Sequence, residues 1–516
     1  MILAKNLISK EDYLSAKSKG VNKFVFNEID FIPEKFGDAI FYNCTKNRVE
    51  STWYTWESND AIIEGFKSRF PQFFVYKNYD ITLAIKKAIF WMNIKTGFLH
   101  YSIREEFKDD VIHYVEPMHS TNRLKVVSKY FKIKISSLFD SQKRSNSLNV
   151  TSQSAIYIKN KFQLDLYQFI LSDVSKRDDF TVYIDPQINK KDIERFEIRN
   201  LVELSNFGKK EAIPSINLMK LKSSDWFVLY SIISHWDEIA TYINYAEQIV
   251  HNGHSKVLIN EAENGVYGAA FSEVMQKSNV PVYNTMNGMK SGEAQDAFIN
   301  FNYWFLWDEK MKEMFVQSYK LDPNKLIVSG HLLEDYIRSY TFSNKLNLDL
   351  EKIKNKKVIS LFTVKGKRYV KNVALDYLYD FLEKNPDFYL IIRPHPLEKP
   401  EDFIYPDKEL DNYCYSNYSS SNLNETLHDQ LYLSNLSIVF GSTVSLDSKW
   451  MNVPCITFER REKSLIYCED GVNIVHVKTL DKLKEKMNEF LNLEKKGYKK
   501  TEKSVSQFII ETLNQS

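Results

Sequence analysis

Residues 437–458 read SIVFGSTVSLDSKWMNVPCITF. A short apolar run ends in Gly441-Ser442-Thr443. A helical stretch carrying Val444, Leu446 and Trp450 follows, and Val453-Pro454 opens a second apolar run. Short apolar runs joined by a helix are the pattern of parallel strands buried on both faces. Such sheets bind ligands beyond the carboxyl ends of their strands. Ser or Thr at a helix start caps free backbone N–H groups and, with the helix dipole, makes an anion site. Gly441 lets a ligand approach the backbone closely. Gly441, Ser442 and Thr443 are therefore candidate phosphate contacts.

Moving outward, residues 389–400 read YLIIRPHPLEKP. Each proline fixes its own φ and pushes the preceding residue toward extended geometry. Arg393 and His395 are expected on a stiff strand end, a rigid donor pair suited to an anion. The first strand of this region, KVISLFT (357–363), runs into TVKGKRY (363–369), which puts Lys365 and Lys367 on a loop at the same edge. A helix over VKNVALDYLYDFLEKNP, the run VNIVHV and a final helix, LDKLKEKMNEFLNLEKK, complete an α/β unit.

The earlier half has the same rhythm. FTVYID (180–185), DWFVLYSII (225–233), KVLINEA (256–262), VPVYNTM (280–286), YWFLWD (303–308) and KLIVSG (325–330) are expected as buried strands. HWDEIATYINYAEQIVHNG and VYGAAFSEVMQKS are helix-length spacers between them. The expected architecture is two Rossmann-like α/β domains facing each other across a cleft, with an N-terminal extension. The boundaries expected are an acceptor-side domain over 1–342, within which 1–178 is an extension of open fold, and a polar linker over 343–357. A nucleotide-binding domain over 358–480 and basic helices over 481–516 follow. In INEAENG (259–265), Glu263 and then Glu261 are candidate general bases at the ligand edge, with Asn264 beside them.

At 516 residues the chain is long enough for two domains. A net charge of +2 gives no reason to expect nucleic acid. Cys44, Cys414, Cys455 and Cys468 lack metal or disulfide spacing and read as reduced thiols of a cytoplasmic protein. Lys5, Lys10, Glu11 and Asp12 interrupt any signal-peptide core, and no run approaches membrane-spanning length. The lysine-rich stretch 483–503 reads first as a solvated helix face; a basic helix of this kind also suits peripheral contact with the inner membrane. No DxD motif or His/Cys cluster suggests a metal.

The strand ending in RPHP, followed by GSTVSLDSKWMNVPCI, resembles the C-terminal domain of bacterial GT-B glycosyltransferases of surface polysaccharide synthesis that use cytidine-activated donors. These include the HP-motif sialyltransferases and polysialyltransferases, the capsule Kdo transferases and the CDP-glycerol glycerophosphotransferases. The resemblance spans roughly residues 250–470 and implies that His395, Ser442 and Thr443 contact the donor phosphate. TMNG (285–288) stands where these families carry QHG, and SGHLLED where they carry GxPR, so Asn287 and Gly288 are left as candidate hydrogen-bonding contacts. The acidic-acidic-Gly motif of the sialyltransferases reads Glu-Asn-Gly here, with Glu263 as the implied base. The expected activity is transfer of a CMP-activated acidic sugar to a bacterial surface glycan, capsule or lipooligosaccharide, with a lipid-linked acceptor in view. His395 would assist as the donor departs, with no cofactor and no metal required. Alternatives are a CDP-glycerol or other CDP-alditol phosphotransferase, a sugar-nucleotide epimerase, and a non-catalytic nucleotide-sugar-binding assembly subunit.

Overall fold

The structure is a computed structural model. It describes residues 60, 62–96, 99–104, 109–114, 122–136, 152–205, 211–260, 265–286, 288, 301–338, 340–344, 346, 348–363, 368–395, 398, 403–406, 409–416, 423–440, 442–458, 473–493 and 504–515. These fall into two compact units: the first takes the described residues between 60 and 332 apart from 100–114, together with the C-terminal helix Val505–Gln515, and the second takes 100–114 and the described residues between 333 and 493. Two small antiparallel or short pairings precede the main sheets: β1 (Val75–Tyr76) with β2 (Tyr79–Asp80), and β3 (Leu99–Arg104) with β4 (Asp109–Tyr114).

The first unit is built on seven parallel strands: β5 (Ser154–Ile158), β6 (Phe180–Ile184), β7 (Leu201–Glu203), β8 (Lys256–Asn260), β9 (Val282–Thr285), β10 (Tyr303–Leu306) and β11 (Leu326–Val328). Their order is β11-β10-β9-β8-β5-β6-β7. Every residue of β5, β6, β8 and β9 is buried, which is why these runs are continuously apolar rather than alternating. The strand expected over 225–233 is instead the start of a 29-residue helix, Ser223–His251. An unbroken apolar run does not separate a buried strand from a helix covered on most sides. This helix is such a case, with Trp226, Phe227, Val228, Leu229, Ile232 and Ile233 all buried. Asp225 caps it by accepting the Lys222 N–H at 2.6 Å.

The second unit holds six parallel strands: β12 (Lys357–Phe362), β13 (Phe388–Arg393), β14 (Tyr413–Tyr415), β15 (Leu436–Val439), β16 (Cys455–Phe458) and β17 (Ile474–Val477). Their order is β14-β13-β12-β15-β16-β17. Both sheets follow the doubly wound pattern, in which the chain works outward from a central strand, returns, and works outward on the other side. On one face Leu361, Leu390, Ile438 and Ile456 share a core with Leu375 and Leu378 of helix Arg368–Lys384 and with Leu483, Met487 and Phe490 of helix Leu480–Phe490. On the other, Phe362, Val439 and Val453 pack with Leu431 of helix Leu423–Leu433. Cys414 and Cys455 are free thiols.

The polar stretch 343–357 is bound into the second unit: Ser343 gives its N–H and hydroxyl to the buried Asp429 at 2.7 and 2.8 Å. The C-terminal region divides, since Leu480–Phe490 packs on the second sheet while Val505–Gln515 packs against helix Gln168–Val174 of the first unit. No helix among the described residues is long and apolar enough to cross a membrane.

Candidate functional site

The carboxyl edge of the second sheet collects three loops. β12 is the central strand, with β13 hydrogen-bonded on one side and β15 on the other; Phe362 of β12 pairs with both Arg393 and Val439. The segments after β13 and β15 therefore flank the tip of β12. They are not neighbours: one strand separates them, about 10 Å at the usual lateral spacing. The reversal of strand order between β12 and β15 is the switch point at which doubly wound sheets open a crevice.

The RPHP segment is pinned from beneath. Thr363, at the end of β12, gives its N–H to the Arg393 carbonyl at 3.0 Å. The His395 N–H reaches both the Thr363 hydroxyl at 3.1 Å and the Glu398 carboxylate at 2.8 Å. Glu398 also bonds the Thr363 hydroxyl and pairs with Lys371 Nζ at 2.6 Å, both side chains only 2% exposed. Lys371 sits 4.0 Å from the centroid of the Phe403 ring. A buried carboxylate, a buried ammonium and a threonine thus fix the backbone of His395, whose side chain is half-buried.

Arg393 closes strand β13. Its side chain is buried and Nη2 donates to the Thr426 hydroxyl of helix Leu423–Leu433 at 3.1 Å. It ties the strand end to that helix. At the β15 tip, Ser442 is half-buried and Thr443 exposed. Thr443 takes the N-cap position of helix Val444–Trp450 with helical φ and ψ and makes no side-chain cap bond. The Ser442 oxygen instead accepts the Val444 N–H at 3.4 Å, and its carbonyl accepts the Ser445 N–H at 3.1 Å. The Thr443 hydroxyl is thus not spent on a cap. The helix itself is only seven residues long, so its dipole is a weaker anion site than a long helix would supply. Gly441, Lys365 and Lys367 lie outside the described residues.

On the first sheet's carboxyl edge, Glu261, Glu263, Asn264 and Asn287 likewise lie outside the described residues, and Gly288 is described with open space around it. Asn260, at the end of β8, donates to the Thr285 hydroxyl at 2.8 Å and carbonyl at 3.1 Å, and the Tyr167 hydroxyl joins Thr285 at 2.7 Å. After β6, the buried Asp185 accepts from the Tyr157 hydroxyl at 3.2 Å and from the Gln187 N–H at 3.0 Å. Burial pushes its carboxyl above the usual range. Lys159, after β5, lies 4.1 Å from the Tyr267 ring centroid. In the sequence Asp185 is only the last residue of the apolar run FTVYID (180–185), and no motif singles it out as a base. A small pocket, with room for little more than a water molecule, lies at the tips of β9, β10 and β11, lined by Thr285, Trp307, Ser329 and His331 and by Ile509 of the C-terminal helix. Its lining residues belong to the first unit.

No known protein family matches the sequence, and no curated protein does. Solved structures do resemble it. A Listeria monocytogenes structure described as a UDP-N-acetylglucosamine 2-epimerase aligns over 71% of this chain and 96% of its own, at TM-score 0.50 and 13% identity. A UDP-GlcNAc 2-epimerase from Neisseria meningitidis bound to UDP-GlcNAc aligns over 70% of this chain and 100% of its own, at TM-score 0.44 and 14% identity. The glycotransferase of kitacinnamycin aligns over 66% and 91%, at TM-score 0.40 and 9% identity. At such identities the likeness of the Listeria structure speaks to the fold alone, and the fold is GT-B, two Rossmann-like α/β units on one chain.

Proposed function

We propose that this chain is a nucleotide-sugar-dependent glycosyltransferase that transfers a CMP-activated acidic sugar, such as sialic acid, a related nonulosonate or Kdo, to a bacterial surface glycan. The observation that supports this most is the pairing of the pinned His395 segment with the Ser442-Thr443 turn on either side of the β12 tip. Charge develops on the CMP phosphate as the sugar leaves, and preorganised donors aimed there lower the barrier. His395, Ser442 and Thr443 carry that role, joined by Gly441, Lys365 and Lys367; Arg393 contributes by holding the strand end through Thr426. Glu263 or Glu261 accepts the acceptor's hydroxyl proton, with Asn264, Asn287 and Gly288 as sugar contacts. Asp185, held above the usual carboxylate range by burial, is a further base to test. A monophosphate leaving group stabilised in this way needs no metal, so turnover is expected to persist in EDTA.

A second reading comes from the name attached to the Listeria structure: a UDP-sugar epimerase on the same fold. One experiment separates the readings. Thermal shift is recorded with CMP, CDP, UMP, UDP and GDP, and turnover of the responding donor is then followed with and without glycan acceptor. A ligand at a hundredfold excess over Kd stabilises by about 2.7 kcal/mol, enough to read. Selective response to CMP and acceptor-dependent CMP release support the transferase. Response to UDP with product formed in the absence of acceptor replaces it with the epimerase. Consumption of CDP-glycerol indicates the alditol phosphotransferase, and CMP binding without turnover across an acceptor panel indicates a non-catalytic subunit.

A further inference from the structure

Helix Arg123–Ser136 of the first unit, RLKVVSKYFKIKIS, is apolar on two opposite sides. Val126, Tyr130 and Ile133 are buried and form its inner side, against helix Ser223–His251. Leu124, Phe131 and Ile135 form the other side and stand in solvent, 80%, 49% and 53% exposed. At 100° per residue these three fall within an arc of about 40°, directly opposite Ile133. The flanks of that arc are basic. Lys125 and Lys132 lie roughly 80–100° to one side, Arg123 and Lys134 the same distance to the other.

The helix carries five cations and no acidic residue. Several rest on neutral groups of the protein: Lys129 donates to the Ser234 hydroxyl at 3.0 Å, Lys134 to the Ser215 hydroxyl at 2.8 Å, and Arg123 lies 5.5 Å from the Trp226 ring centroid. A second copy of the same face would bring ten cations together, so self-association is disfavoured. An apolar ridge with cations on both shoulders has the distribution that lies in the interface of an anionic bilayer, ridge among the acyl chains and ammonium groups at the headgroups.

We propose that helix Arg123–Ser136 seats this protein on an anionic lipid surface through Leu124, Phe131 and Ile135. This differs from the lysine-rich C-terminal helix the sequence suggested. Helix Leu480–Phe490 turns its apolar side, Leu483, Met487 and Phe490, into the second unit's core, and its Lys482 and Lys486 pair with Glu485 and Glu489.

The full chain is sedimented with phosphatidylcholine vesicles and with equal mixtures of phosphatidylcholine and phosphatidylglycerol. Binding is expected to the anionic vesicles only, weakening as salt rises. Two outward-facing variants test the helix: Leu124→Ser with Phe131→Ser, and Lys125→Glu with Lys132→Glu. Each is expected to lower vesicle partitioning about tenfold or more while leaving the thermal midpoint of the lipid-free protein unchanged. Lys482→Glu with Lys486→Glu is expected to partition as the parent does. The proposal fails if the parent ignores anionic vesicles, if both helix variants partition like the parent, or if the C-terminal pair alone abolishes binding. It fails too if light scattering shows an oligomer that Leu124→Ser with Phe131→Ser dissolves, because the ridge is then a protein interface.

Discussion

Glu398 is the residue on which the proposed phosphate site turns, although it faces no ligand. Its carboxylate takes the Lys371 ammonium, the Thr363 hydroxyl and the His395 N–H, and so joins the tips of β12 and β13. Glu398→Gln leaves the Lys371 cation buried without its counterion, a change expected to cost about 3–5 kcal/mol in chemical denaturation. Lys371→Met with Glu398→Leu removes both charges and is expected to recover most of that stability, yet to leave nucleotide affinity reduced because His395 loses its anchor. If the double variant binds nucleotide as tightly as the parent, Glu398 serves stability alone. His395→Ala and Ser442→Ala, in contrast, touch partly exposed groups; each is expected to weaken the responding nucleotide about tenfold in titration calorimetry with little change in the denaturation midpoint. The sequence showed where these strands end, because an apolar run stopped at prolines. It did not show Arg393 turning inward to Thr426, thirty-three residues away, nor Glu398 meeting Lys371, since such partners are chosen by the fold.

At the level of elements, the opposite edge of the first sheet gives a pH response. His254 is buried where β5, β6 and β8 begin: its Nδ1 lies 2.9 Å from the Ser152 carbonyl, and its Nε2 lies 2.6 Å from the Tyr183 hydroxyl, which in turn accepts from Asn252 at 2.7 Å. This geometry fits a neutral ring that donates from Nδ1 and accepts at Nε2. Burial lowers the His254 pKa, and the Ser152 carbonyl offsets this in part. The unfolded chain therefore binds the proton more readily than the folded one. The stability this provides is complete above the unfolded value, about 6.5, and is lost as pH falls toward the lower folded value, by at most about 1.4 kcal/mol per pH unit. His254→Gln is expected to flatten that slope in denaturation curves recorded between about pH 7 and 5; an unchanged slope would assign it to other groups. Elements were legible where a run had the length of a strand and clear ends, as in KVISLF and FTVYI. They were not over residues 225–233, where a helix buried on most of its surface imitates a strand, nor at β5, whose SAIYI follows directly on a polar stretch.

For the molecule as a whole, the path of the chain matters more than any single contact. The second unit is a complete doubly wound domain by Phe490, yet the chain goes on to add a helix to the first unit. Val505, Ile509, Ile510 and Leu513 are all buried there, and Lys256, on the first strand position of β8, donates to the Leu513 carbonyl. Four buried aliphatic side chains at about 1.5–3 kcal/mol each make a gross contribution of roughly 6–12 kcal/mol, comparable to the whole net stability of a domain. A merely appended tail could be cut away at little cost. The closing helix of a core could not. Deleting residues 504–516 is therefore expected to raise amide exchange across Gln168–Val174 and the start of β8 toward that of an unfolded chain, while β12, β13 and β15 keep their protection. Hydrogen exchange read by mass spectrometry checks both halves of the expectation. If the first unit keeps its protection in the shortened chain, the helix is an accessory, and the first unit folds as a domain without it.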